Sequence, residues 1–85
     1  MQSEKAEART IPLAELPMNE RAEVVCLRCG HLAMSRLAAL GFTPGAEVDM
    51  NQNYGRGPLI VSVRGGRVAL GRGEARHISV ERKLP

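Results

Sequence analysis

Eighty-five residues, 44% apolar and 25% charged, allow one small globular domain with a thin core and no room for a second. Twelve basic residues against nine acidic ones give a net charge of +3, and ten of the twelve are arginine. This balance excludes a collagen-like or wholly disordered chain. Two cysteines are too few for a disulfide miniprotein, and no run nears the roughly 20 apolar residues that span a bilayer.

Residues 1–10, MQSEKAEART, are polar and lack the apolar stretch of a secretory signal. They read as a disordered tail ahead of a folded domain over residues 11–82. With no such signal, the two cysteines point to a reducing cytoplasm. Ile11 to Leu16 spaces apolar residues three apart and stops at Pro17, which predicts one short helical turn. Pro17-Met18-Asn19-Glu20 is a turn in which Asn19 can take a left-handed conformation. Ala22 to Arg28, with Val24, Val25, Cys26 and Leu27, reads as a strand buried on both faces.

A short helix follows from Ala33 or Ser35 to Leu40, because Ala33, Leu37 and Leu40 recur at helical spacing. Gly41 falls where a left-handed residue ends a helix, and Phe42 can fold back onto the last turn as in a Schellman cap. Thr43-Pro44-Gly45-Ala46 has proline second and glycine third, the type II turn signature. Beyond it the period becomes two. Ala46, Val48 and Met50 share a buried face, as do Leu59, Val61 and Val63.

Between these strands Gly55-Arg56-Gly57-Pro58 forms a loop, and Gly65-Gly66 predicts a two-residue hairpin turn before Val68 and Leu70. Residues 71–75 read as one 3₁₀ turn, and His77 to Glu81 as a last strand with Ile78 and Val80 inward. About five short strands, one short α-helix and a 3₁₀ turn predict a mainly β fold, a small barrel closed or nearly so. Closure hides strand edges when the core is thin. SH3-like and OB-like barrels both fit this pattern.

The run Arg36-Leu37-Ala38-Ala39-Leu40-Gly41-Phe42-Thr43-Pro44-Gly45 resembles the signature block of the FeoA family. Gly57-Pro58-Leu59 through Arg64-Gly65 is similar to the opening of that family's next strand. Val68-Ala69-Leu70 followed by Glu74 to Val80 resembles its closing pattern, and Leu13 to Leu16 its first turn. The ordered blocks cover roughly Ile11 to Glu81. The resemblance implies an SH3-like barrel, a cytoplasmic accessory of ferrous-iron uptake. It also implies a partner, the large membrane transporter FeoB with its cytosolic G-protein domain. Asn19 stands where the family usually has glycine, and Arg56 departs from its usual acidic residue or glycine.

Cys26-Leu27-Arg28-Cys29-Gly30-His31 is not a general feature of that family, yet it holds good ligands for zinc or ferrous iron. Residues three apart on a strand face opposite sides, so Cys26 reads as a small core residue. Cys29 and His31, two apart, could converge, with Cys26 and His77 as weaker candidates. Such a pair would need completion by a carboxylate or a second chain, which defines an alternative: a freestanding barrel with surface-bound Zn²⁺ or Fe²⁺, as a metal-bridged dimer. No cofactor is otherwise required.

Enzyme readings lack parts: there is no phosphate-binding loop leading into a helix, no paired carboxylates and no nucleophile with an adjacent base. A nucleic-acid-binding barrel would need stacking aromatics, and only Phe42 and Tyr54 exist. The partner-binding expectation rests on Tyr54 and Arg56 in the glycine loop and on Ile60, outward by alternation, because tyrosine and arginine are enriched at interface hot spots.

Overall fold

The computed structural model describes residues 10–28 and 30–83. Six antiparallel strands form one sheet: β1 (Thr10–Pro12), β2 (Arg21–Leu27), β3 (Glu47–Gln52), β4 (Leu59–Val63), β5 (Gly66–Leu70) and β6 (Ile78–Arg82). Their order across the sheet is β1-β6-β2-β3-β4-β5. A 3₁₀ turn over Leu13–Glu15 follows β1, the helix α1 (His31–Ala39) links β2 to β3, and the one-turn helix α2 (Arg72–Ala75) links β5 to β6.

The sheet is bent into a small barrel-like shape, and two bulges account for the bending. Between Val24 and Cys26 the strand β2 advances two residues while β6 advances one, so Val25 is the extra residue and is 43% exposed. This corrects the expectation of a strand buried on both faces: Ala22 and Val24 point inward and their neighbours do not. Asn51 is the extra residue in β3, between Met50 and Gln52, and it accepts a 2.6 Å hydrogen bond from the Ser62 hydroxyl. β1 and β5 do not pair; the 3₁₀ turn after β1 and α2 after β5 meet, and there the Arg72 guanidinium donates to the Ala14 carbonyl at 3.3 Å.

Alternation supplies the core. Val48 and Met50 of β3, Leu59 and Val61 of β4 and Ile78 and Val80 of β6 are all buried, with Leu13 and Leu16 closing one end. At about 25 cal/mol per Å² of apolar surface removed from water, these side chains are the main source of stability. The helix α1 contributes little to it, for of its nine residues only Leu37 is buried, and Leu32 is 90% exposed.

Local chemistry sets the element ends. Gly41 has φ +108°; its N–H donates to the Ala38 carbonyl, and the Phe42 N–H to the Leu37 carbonyl, both at 3.0 Å. This is the double bond of a Schellman cap, with Phe42 and Leu37 both buried. Gly45, at φ +92°, completes the type II turn through Ala46 N–H to Thr43 O at 2.9 Å. Asn19 is left-handed at φ 68°.

Four boundaries differ from expectation. Thr10 already pairs with Glu81, so β1 starts inside the stretch read as a tail, and residues 1–9 lie outside the described residues. The helix starts at His31, earlier than Ala33, because Gly30 caps it with its carbonyl alone. The hairpin turn is Arg64-Gly65 rather than Gly65-Gly66: Val63 pairs with Gly66, and both turn residues have positive φ, 49° and 81°, as type I′ requires. Residues 72–75 form one α-helical turn, not a 3₁₀ turn.

Charge is divided between the two halves of the sheet. Glu23 of β2 lies opposite both Glu81 and Glu47, a like-charge row that Lys83 relieves by a 2.9 Å ion pair to Glu23. That hydrogen bond, with the charge of Glu23 behind it, raises the pKa of Lys83, and Asp49 does the same for Arg21. Arg82 holds Glu20 through two bonds of 2.9 and 2.8 Å. The other half, residues 50–73, contains no Asp or Glu and four arginines.

Candidate partner-binding site

The loop of residues 53–58 leaves β3 and enters β4 under tight control from one side chain. Asn53 donates its amide to two carbonyls of the first turn, Ala14 O at 3.0 Å and Leu16 O at 2.8 Å. Its own oxygen accepts the Gly55 N–H at 3.1 Å, which closes an Asx turn, and also a short hydrogen bond from the Arg72 guanidinium. Gly55 and Gly57 then take φ of 85° and 77°, conformations that favour glycine.

Tyr54 sits between the anchored Asn53 and Gly55 and is 69% exposed. Arg56 is exposed beyond it, and neither is engaged by an ion pair or side-chain bond among the described residues. Ile60, two residues into the strand, is half-buried on the outward face, where Ala69 of β5 lies opposite. Tyr54 and Arg56 thus lie in the loop, and Ile60 lies on the strand it enters, beyond Gly57 and Pro58. Both loop side chains are exposed, and the loop is anchored at its first residue, Asn53.

Most positions of the signature block have structural work. Leu37 docks α1, Leu40 ends it, and Gly41, Phe42, Pro44 and Gly45 make the cap and turn already described. Arg36 points the other way, forming an ion pair with Glu74 of α2. Gly65 supplies the second left-handed residue of the hairpin.

The metal candidates sit on or beside three elements, although the Arg28 N–H bonds the His77 carbonyl at 2.7 Å and so brings His77 beside the end of β2. His31 is exposed at the first position of α1, and His77 is exposed just before β6, beside an open groove of about 370 Å³ lined by Ala33, Leu37, Gly73 and Glu74. Cys26 is half-buried on β2 past the bulge, less enclosed than a core residue. Cys29 lies outside the described residues. Among the described residues no three His, Cys, Asp or Glu side chains gather as a metal site would need.

Asn53 and Arg72 escaped the sequence reading. An asparagine before Tyr-Gly signals an Asx turn, but its carbonyl partners lie 39 and 37 residues away and leave no local trace.

A bent six-stranded antiparallel sheet with a capped helix between its second and third strands defines a small SH3-like barrel. The FeoA domain family model matches residues 11–82, and the chain belongs to that family, whose members are accessories of ferrous-iron transport. It is 37% identical over 70 residues to a protein of Methanocaldococcus jannaschii named as an Fe(2+) transport protein A, covering 82% of this chain and 84% of that one. The crystal structure of an iron uptake regulatory protein, FeoA, superposes with a TM-score of 0.83 at 35% identity, over 87% of this chain and 99% of that one. FeoA of Stenotrophomonas maltophilia, crystallised with zinc and described as an SH3 domain protein, gives 0.73 at 36% identity, over 81% and 87%. Among the described residues no helix is long and apolar enough to cross a membrane.

Proposed function

We propose that this chain is a non-enzymatic cytoplasmic accessory of ferrous-iron uptake that binds the cytosolic side of a FeoB-type transporter, with Tyr54, Arg56 and Ile60 in the contact. The observation that carries the reading is the ordered display of Tyr54. Asn53 anchors the loop through four hydrogen bonds, two to the first turn, one to Arg72 and one within the loop, while Tyr54 and Arg56 are exposed. Binding therefore orders little more than two side chains, which keeps its entropic cost low. The test is recovery from detergent-solubilised membranes of the source cell on the immobilised chain. A large polytopic protein with a cytosolic G domain should be retained, and retained poorly by Tyr54→Ala. Failure to retain it when it is present in the extract overturns the reading.

A second reading, a zinc or ferrous-iron site on Cys29 and His31 shared between two copies, draws support from the zinc complex of the Stenotrophomonas maltophilia relative. Light scattering with added zinc should show a dimer that a chelator dissolves and that His31→Ala lacks. A monomer throughout would eliminate it.

A further inference from the structure

The free edge of β5 carries unpaired peptide groups in a basic setting. β5 has β4 on one side and no strand on the other. Because the hairpin turn has two residues, Val63 and Gly66 are a hydrogen-bonded pair, and bonded and non-bonded pairs alternate from there. Arg67 and Ala69 fall at the non-bonded positions, opposite Ser62 and Ile60. Their N–H and C=O groups therefore point away from β4, and among the described residues nothing meets them. Both residues are exposed.

The opposite edge is short among the described residues. β1 is three residues long and ends in Pro12, which has no N–H to give. β5 has no proline and no bulge against β4. Its guard is charge. Residues 50–73 hold Arg56, Arg64, Arg67 and Arg72 and no acidic residue. Arg64 and Arg72 are engaged within the fold, and Arg67 is in no ion pair among the described residues. A second copy paired with Arg67 opposite Arg67 would set arginine against arginine, which disfavours that register of self-pairing. An acidic strand meets the opposite situation.

We propose that β5 accepts an acidic extended segment of a partner protein as an added edge strand, bonded to the main chain of Arg67 and Ala69. Main-chain bonds would give the binding and alternate side chains its selectivity. A carboxylate belongs opposite Arg67. Two residues along, beside Ala69 and the half-buried Ile60, an apolar side chain fits. The inference does not depend on the identity of the transporter and stands or falls separately.

The test is amide NMR of the full chain titrated with a short synthetic peptide, Thr-Glu-Thr-Val-Thr, which sets glutamate and valine two residues apart on one face. Its lysine–valine counterpart and a version with proline at the bonding positions serve as controls. The acidic peptide should bind saturably, with shifts centred on Arg67 and Ala69. Exchange of those two amides should slow about tenfold, and binding should weaken as salt rises to about 0.5 M. The proline version should not bind. Arg67→Glu, melting like the parent, should reverse the preference toward the lysine peptide. The proposal is overturned by equal binding of all three peptides or by shifts centred elsewhere. Absence of saturable binding up to about 1 mM would overturn it too, as would a single-stranded oligonucleotide that shifts the same amides and outcompetes the acidic peptide.

Discussion

The side chain of Arg64 lies across Gly41: a Cβ placed on Gly41 would fall 3.2 Å from both Cγ and Cδ of Arg64. The guanidinium continues over the turn, with Nε 3.4 Å from the Gly41 carbonyl and a 2.8 Å bond to the Thr43 hydroxyl. Arg64 is itself left-handed, so the tip of the β4–β5 hairpin is held onto the end of α1 by a residue in a costly conformation. Gly41 therefore has two independent reasons to be glycine, its φ of +108° and this close approach.

Gly41→Ala should lose about 1–3 kcal/mol, the scale of strain at a position with positive φ. Arg64→Gly should lose less, because glycine relieves the left-handed turn while the clamp is lost. The double variant should be more stable than the sum of the single losses implies, since the clash with Arg64 has gone. Urea unfolding of the four proteins checks this, and strict additivity would mean that the contact carries no energy.

Asn53→Ala should lose about 2 kcal/mol, because two carbonyls and the Arg72 guanidinium lose partners at once. Asn53→Asp should not rescue it, for a carboxylate keeps the bond to Arg72 and cannot donate to Ala14 and Leu16. Thermal melts of both variants, with amide exchange at Gly55, read the effect. Recovery by aspartate would show that the acceptor role dominates.

Leu37→Ala should lose about 3 kcal/mol, the cost of a cavity at the one buried residue of α1. Leu32→Gln, about 1.4 turns away and 90% exposed, should leave stability within about 0.5 kcal/mol. Similar losses at both positions, measured by urea unfolding, would mean that Leu32 is covered in solution.

At the proposed contact, Tyr54→Ala and Arg56→Glu should each weaken transporter binding about tenfold, with melting temperatures within a few degrees of the parent. Affinity measured on detergent-solubilised transporter decides. If neither variant changes it, the loop is not the contact surface.

The sequence made legible what neighbouring residues decide. Gly41-Phe42 and Thr43-Pro44-Gly45 carry their cap and turn in their own chemistry, and alternation placed Val48, Val61 and Val80 inward. It misplaced the hairpin turn by one residue because Gly65-Gly66 outranks Arg64-Gly65 on backbone freedom alone, whereas Arg64 is held by Gly41 and Thr43 from across the fold. β1 was missed because three residues ending in proline become a strand only by pairing with β6, at the other end of the chain. At the candidate site, Tyr54 and Arg56 were visible as unusual side chains in a glycine loop. The anchor beneath them was not, since Asn53 works through main-chain atoms that any residue would supply.

The Asn53 bonds also set an order of events in folding. They join residue 53 to residues 14, 16 and 72, across as many as 39 positions, and Arg72 reaches 58 positions back to Ala14. Connections that long close late, after local pieces such as the β4–β5 hairpin have formed. The barrel is thus latched at the loop it displays only after the neighbouring hairpin has formed. Loosening the latch should quicken unfolding while leaving the refolding rate almost unchanged, and the two arms of a denaturant chevron for Asn53→Ala separate these rates.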